Sequence, residues 1–308
     1  MRRRYLCGAL VGVLATAAAL SAAMGQAATP NMKLAKPSVM RVFKGKPSRP
    51  NHSNNLSYRG GVGGIGVETA PTVYLVLWGS QWTNNDPKGE AALLENFYGD
   101  VGGSQWLSSV QQYCQGVVSG TVYCNGAGTP AGGGVSFTSN GSVWADNASA
   151  APSSPSQSDL AAEAIRAAAH FGKTTPTSNA SVQYVVATAT QNNASGFGTS
   201  YCAWHSSTSS QYGNIAYTNL PYMTDAGASC GANFNGLGAS AGVTIVAGHE
   251  LAETITDQFP NGGWLDRNGA ENGDKCAWSS ATSNQPMGGT SSFPVQPLWS
   301  NAASGCVQ

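Results

Sequence analysis

Charged residues make up only 10% of this 308-residue chain, and its formal net charge is zero. So little charge excludes a chain that lives on nucleic acid. Disorder is excluded from the other side, because 41% of the residues are apolar. Acids are missing altogether before Glu68, although Arg2, Arg3, Arg4 and seven further bases precede it. Beyond residue 60 the shortage reverses. Only Lys88, Arg166, Lys173, Arg267 and Lys275 stand against fifteen acids. The chain therefore reads as a basic leader, a basic arm and an acidic body. No internal repeat appears. Long apolar runs are also lacking, apart from Ala9 to Leu20, which is too short for a comfortable membrane span.

That run follows an arginine triplet and leads to Gly25-Gln26-Ala27, a small-x-small cleavage pattern. Residues 1–27 are thus expected to be a secretory signal peptide, leaving a protein outside the cytoplasm, extracellular or periplasmic, with no membrane segment. Cleavage removes Cys7 and leaves Cys114, Cys124, Cys202, Cys230, Cys276 and Cys306. An even count in a secreted chain implies disulfides. Nearest-neighbour pairing, Cys114–Cys124, Cys202–Cys230 and Cys276–Cys306, closes the shortest loops and is the expectation. Residues 28–66 are rich in Pro, Lys, Arg, Asn, Ser and Gly, without apolar periodicity. They read as a basic flexible arm, either a propeptide or a simple linker.

Residues 67–308 alternate strand and helix signals, which predicts one α/β domain: a mixed sheet flanked by helices, with an irregular, disulfide-bearing C-terminal region. Thr72 to Trp78 is a β-branched and aromatic run, the pattern of a buried strand. Asp86-Pro87 opens a helix, and a short one follows near Trp106 to Tyr113. Short strands with Gly turns fill 120–145. Ser158 caps a helix carrying Leu160, Ala164, Ala168 and Phe171. Val182 to Ala187 is a second buried strand. Residues 190–238 look loop-rich, Ser240 opens the last clear helix, to about Asp257, and 260–308 looks irregular.

The sharpest chemical signal is Gly248-His249-Glu250-Leu251-Ala252-Glu253. On a helix, His249 and Glu253 share a face and can bind one metal. Glu250, beside them, is a candidate base, as in the His-Glu-x-x-His helix of zinc peptidases with Glu replacing the second His. Val243, Ile245, Val246 and Ala247 mark the helix as buried. Buried acids need a cation, and this body has few. Glu271, 18 residues past Glu253, is the expected third ligand. His205 and Asp274 are secondary candidates. Zinc is the expected metal, with manganese or calcium as harder alternatives for a carboxylate-rich shell. Asp266, Asn268, Glu271 and Asp274 form an alternative oxygen-rich calcium loop that does not follow the EF-hand spacing. His170 reads as a surface residue and His52 as inert. Gly238-Ala239-Ser240-Ala241-Gly242 matches a nucleophile elbow, but no strand precedes it and no acid lies between Ser240 and His249. Ser240 is read as a helix cap.

Four segments, Val73 to Trp82, Tyr201-Cys202-Ala203-Trp204-His205, His249 to Glu253 with Thr256, and Glu271 to Cys276, together resemble the phosphate-induced, EXORDIUM-like family of secreted proteins and especially its bacterial relatives. The likeness runs from about Thr72 to Cys306. It implies secretion and a single domain, but no reaction, because the plant members are known mainly as extracellular growth-linked proteins. The chain departs from the family at Asp257-Gln258-Phe259-Pro260, where Asn-Pro or Asp-Pro is usual.

Two functions follow as expectations. The first is a secreted metal-dependent hydrolase, most simply a metallopeptidase, acting on an extracellular protein or cell-wall polymer, with Glu250 as base. The alternative is a non-catalytic extracellular or wall-associated carbohydrate-binding protein whose metal site is structural. A monomer is expected in either case.

Overall fold

The computed structural model describes residues 32–46 and 55–308, so the expected signal peptide and His52 lie outside the described residues. The elements that matter to the site are, in chain order, β1 (Ser38–Arg41), β2 (Thr72–Trp78), α1 (Glu90–Asp100), β3 (Val143–Asp146), α2 (Gln157–His170), β4 (Val182–Thr188), β5 (Tyr201–Ser210), β6 (Gly213–Leu220) and α3 (Ala241–Thr256). Six strands form one mixed sheet in the order β1-β5-β6-β4-β2-β3. The β6-β4-β2-β3 half is parallel, and β1-β5-β6 is antiparallel. Central β2 and β4 are buried on both faces, as their largely apolar runs require, with Gln183 of β4 buried among them. On one face α2 packs against Tyr74, Val76 and Tyr184. The other face, with Val73, Leu75 and Val185, meets α1 and α3. The domain is therefore a mixed α/β sheet flanked by helices.

Two stretches differ from expectation. Residues 32–46 and 55–66 do not behave as a flexible arm. Strand β1 pairs with β5, Leu34 bridges to Thr208, and Ser57–Tyr58 pairs with Trp264–Leu265. Met40, Leu56 and Tyr58 are buried. An edge strand of four residues needs only backbone partners, and three widely spaced anchors leave no periodicity to read. Residues 201–220, expected to be loops, form the long β5/β6 hairpin. Ser, Thr and Asn dominate it, so apolar alternation is weak, yet it is buried because the sheet ladder satisfies its backbone.

The helix starts shift slightly. Helix α1 begins at Glu90 rather than at Pro87, and its N-cap position is Gly89, not Asp86, although Asp86 accepts from the Glu90 and Ala91 N–H groups at 2.8 and 3.1 Å. Helix α2 is capped by Ser156, not Ser158, in a reciprocal capping box with Asp159. Ser240 precedes α3, but its side chain makes no capping bond. The short helix near Trp106 is α-helical over Gln105–Ser108 and 3-10 over Ser109–Gln112. Between 120 and 145 only Thr129–Pro130 and the start of β3 are extended. The tail holds two small ribbons, Ser283–Pro286 with Ser292–Val295 and Leu298–Ser300 with Gly305–Val307. All three disulfides are the nearest-neighbour ones. No helix among the described residues is long and apolar enough to cross a membrane.

Candidate metal centre

Helix α3 is buried along all 16 of its residues. Its apolar residues face the sheet and the tail. His249, Glu250 and Glu253 are carried inside with them and are 0% exposed. The helix spacing does what it predicts, since His249 Nε2 lies 3.1 Å from Glu253 Oε1. Three other elements close on this face. Strand β5 brings His205, paired in register with Ser38 of β1. The loop after α3 brings Glu271 and Asp274. Strand β1 brings Ser38, whose hydroxyl donates to Glu271 Oε2.

The histidine tautomers follow from their neighbours. The Gln296 amide nitrogen donates to the Gly273 carbonyl at 2.7 Å, so Gln296 Oε1 faces the His249 ring, 3.2 Å from Nδ1. His249 Nδ1 must then carry a proton, and Nε2 is the nitrogen turned to Glu253 and, at 4.0 Å, to Asp274 Oδ1. His205 Nδ1 lies 3.2 Å from Glu250 Oε2 and 3.7 Å from Glu253 Oε2. With Nδ1–H given to Glu250, His205 Nε2 turns to Glu271 Oε1 at 3.4 Å. A histidine whose far nitrogen is held by a carboxylate or amide oxygen is the usual arrangement of a metal ligand. The side chains thus form two groups with ligand atoms close enough for one ion each: His205, Glu253 and Glu271, and His249, Glu253 and Asp274.

Sequence reasoning put His249, Glu253 and Glu271 on one ion. The structure does not: Glu271 belongs with His205, and His249 with Asp274. Chain order alone cannot show that β5 inserts His205 between α3 and the 271–274 loop. It also missed three supporting residues. Ser38 sits in an apparently featureless arm and Gln296 in an unremarkable tail, so neither gave a signal. Gly273, inside the quoted 271–276 motif, was legible. A Cβ there would lie 2.8 Å from His249 Nδ1 and 2.9 Å from Glu253 Oε1.

The electrostatics show unbalanced charge. Burial pulls the His249 imidazole down, but Glu253 outweighs it and holds the ring at about 10. His205, equally buried, is held well above its ordinary value by Glu271 and Glu250. Burial also raises Glu253 and Glu271, and lifts Asp274 to about 6. Glu253, Glu271 and Asp274 thus hold on to protons because they are buried, and the two imidazoles because carboxylates surround them. Lys275, next in sequence, turns instead to Asp266 at 3.6 Å and to the Trp299 ring at 4.0 Å. Several ligand atoms also lack hydrogen bonds within this cluster: His205 Nε2, His249 Nε2, Glu250 Oε1, Glu253 Oε2 and Glu271 Oε1. Buried polar atoms without partners are expensive unless something else meets them.

The calcium alternative does not assemble. Asp266 Oδ1 accepts from the Asn268 and Ala270 N–H groups, Asn268 is exposed, and Glu271 faces His205. Asp257, at the departure from the family pattern, is buried and accepts from the N–H groups of Asn261, Gly262 and Gly263, shaping the turn out of α3. His170 is exposed and stacks on Trp144. Ser240 follows 3-10 turns rather than a strand. A cleft of about 170 Å3, lined by Lys36, Ser38, Asp257, Asn261 and Glu271 among others, reaches the Glu271 side of the cluster. Larger clefts of about 350 and 420 Å3 are lined by none of the cluster residues.

Searches against protein-family models, curated proteins and solved structures match nothing to this chain. The resemblance to the EXORDIUM-like family therefore rests on its four motifs alone.

Proposed function

We propose that this protein is a secreted, divalent-metal-dependent hydrolase, most simply a peptidase, of the EXORDIUM-like kind. The observation that carries the reading is two groups of imidazole and carboxylate ligand atoms, each group within 4.8 Å, largely buried and with several atoms lacking hydrogen bonds. Three disulfides and the leader pattern support secretion. Nitrogen and carboxylate donors without thiolate suit zinc or manganese. A bound cation would polarise an acyl oxygen and make a nearby water acidic. Glu250 then has a defined task. Its Oε2 holds His205, and its unpaired Oε1 is the atom that accepts the proton and returns it to the leaving group. Access would be through the cleft beside Glu271, which β1 narrows. That placement supports the propeptide alternative for residues 28–66 over the linker.

One observation favours the second reading, a binding protein with a structural metal. His205, His249, Glu253 and Glu271 are all 0% exposed, and closed shells are structural more often than catalytic. The deciding experiment measures bound metal and hydrolysis of a mixed protein substrate for wild type and Glu250→Gln. The hydrolase reading expects the variant to keep metal while its rate falls about a hundred- to ten-thousand-fold. Metal-loaded wild type without hydrolytic activity would hand the site to the structural reading.

A further inference from the structure

The side of α3 that carries the cluster offers two sets of ligand atoms, not one, and Glu253 belongs to both. Its two oxygens point in different directions. Oε1 lies 3.1 Å from His249 Nε2, on the Asp274 side. Oε2 lies 3.7 Å from His205 Nδ1 and has no hydrogen bond. We infer that the site takes a pair of divalent cations bridged by the Glu253 carboxylate, one held with His205 and Glu271 and the other with His249 and Asp274. This rests on the cation-site reading above and deepens it.

Three independent features converge on the pair. The first is the tautomers. Gln296 faces His249 Nδ1 and Glu250 faces His205 Nδ1, so in each ring Nε2 is the nitrogen left to a ligand, and both Nε2 atoms lack hydrogen bonds. One ion cannot account for both, because His249 and His205 fall in separate groups. The second is the donor set. Each group offers one imidazole and two carboxylates, with Glu253 common to both, so each ion would find three ligands. The third is the supporting frame. Ser38 holds the far oxygen of Glu271, and the Asp274 N–H donates to Glu253 Oε1 at 2.8 Å. Gly273 lets the loop backbone approach close enough to bring Asp274 in. Paired metal ions about 3.5–4 Å apart, sharing a carboxylate, clamp both the attacking and the leaving oxygen of a hydrolysed bond. The substrate class is therefore one whose cleavage develops charge on two oxygens or on oxygen and nitrogen, an ester or amide.

The test is stoichiometry on the full secreted chain. Protein stripped with chelator is reloaded with Zn2+, desalted and analysed for metal per chain. A parallel sample loaded with Mn2+ is read by electron paramagnetic resonance. Wild type should carry two ions per chain, and the Mn2+ spectrum should be that of a spin-coupled pair. Asp274→Asn and Glu271→Gln should each carry one ion, with the uncoupled six-line Mn2+ spectrum. A wild-type ratio of one overturns the pair, whatever the variants do, and leaves the single-cation reading standing. A ratio of two with uncoupled spectra overturns the Glu253 bridge. A ratio of zero overturns the cation site itself.

Discussion

Glu253→Gln should cost far more stability with metal bound than with metal withdrawn. The carboxylate is completely buried, and burial raises its pKa even though His249 pulls it down. Its folded value therefore exceeds its unfolded one. At any pH above the unfolded value the ionised group opposes folding, and a neutral side chain of the same shape removes that penalty. Gln still offers an oxygen to the Asp274 N–H, at 2.8 Å in the native chain. In chelator the variant is freed of this penalty but loses the carboxylate that holds the His249 ring at about 10, so the two effects oppose and its stability should lie within about 1–3 kcal/mol of wild type. With metal the gap opens. A cation at about a thousand times its dissociation constant adds about 4 kcal/mol to wild type. For a domain of this size that is roughly 8–16 °C in Tm. Gln in place of a shared anionic ligand forfeits most of that gain. The assay is thermal unfolding of both proteins in chelator and in excess Zn2+ at pH 7.5. If wild type shows no metal shift, and the difference between variant and wild type is the same under both conditions, the cluster is a self-contained imidazolium–carboxylate network that takes no cation.

Gly273→Ala tests the close approach of the loop to the ligands. Gly273 has φ −73°, a conformation alanine accepts, so backbone strain is not introduced. The new methyl meets His249 and Glu253, and Zn2+ affinity by calorimetry should fall about 10- to 100-fold; unchanged affinity would mean the loop does not set the ligands. Glu68 gives a pH prediction. Burial lifts its carboxyl from 4.5 to about 8, the Gln183 amide and His205 pulling weakly the other way. The folded state holds the proton longer than the unfolded state, so stability falls as pH rises from about 4.5 to about 8. Glu68→Gln should flatten that slope, and the difference between variant and wild type in urea unfolding should grow by up to about 4 kcal/mol from pH 5 to pH 8. A constant difference would show that Glu68 does not titrate in that window.

What the sequence determined by itself is whatever depends on near neighbours. Strands β2 and β4 are legible because a buried parallel strand is a largely apolar run, which the single Gln183 of β4 does not mask. Helix α3 is legible because its apolar lead-in and the His249–Glu253 spacing repeat on one face. The disulfides fall to the shortest loops, and the acidic body is a matter of counting. The tertiary structure decided the rest. An edge strand such as β1 is held by backbone hydrogen bonds to β5, which leave no mark on its side chains. The Ser- and Thr-rich hairpin of β5 and β6 is buried by its position in the sheet, not by its hydrophobicity. The ligand grouping is decided there too. His205, Glu253, Glu271 and Asp274 come from a strand, a helix and a loop separated by up to 69 positions in the chain. Which of them meet depends on how the β5 edge packs against α3, and on Gly273 letting the loop backbone press against His249. Chain spacing names the candidate ligands, but only the packing of these three elements assigns His205 to Glu271 and His249 to Asp274.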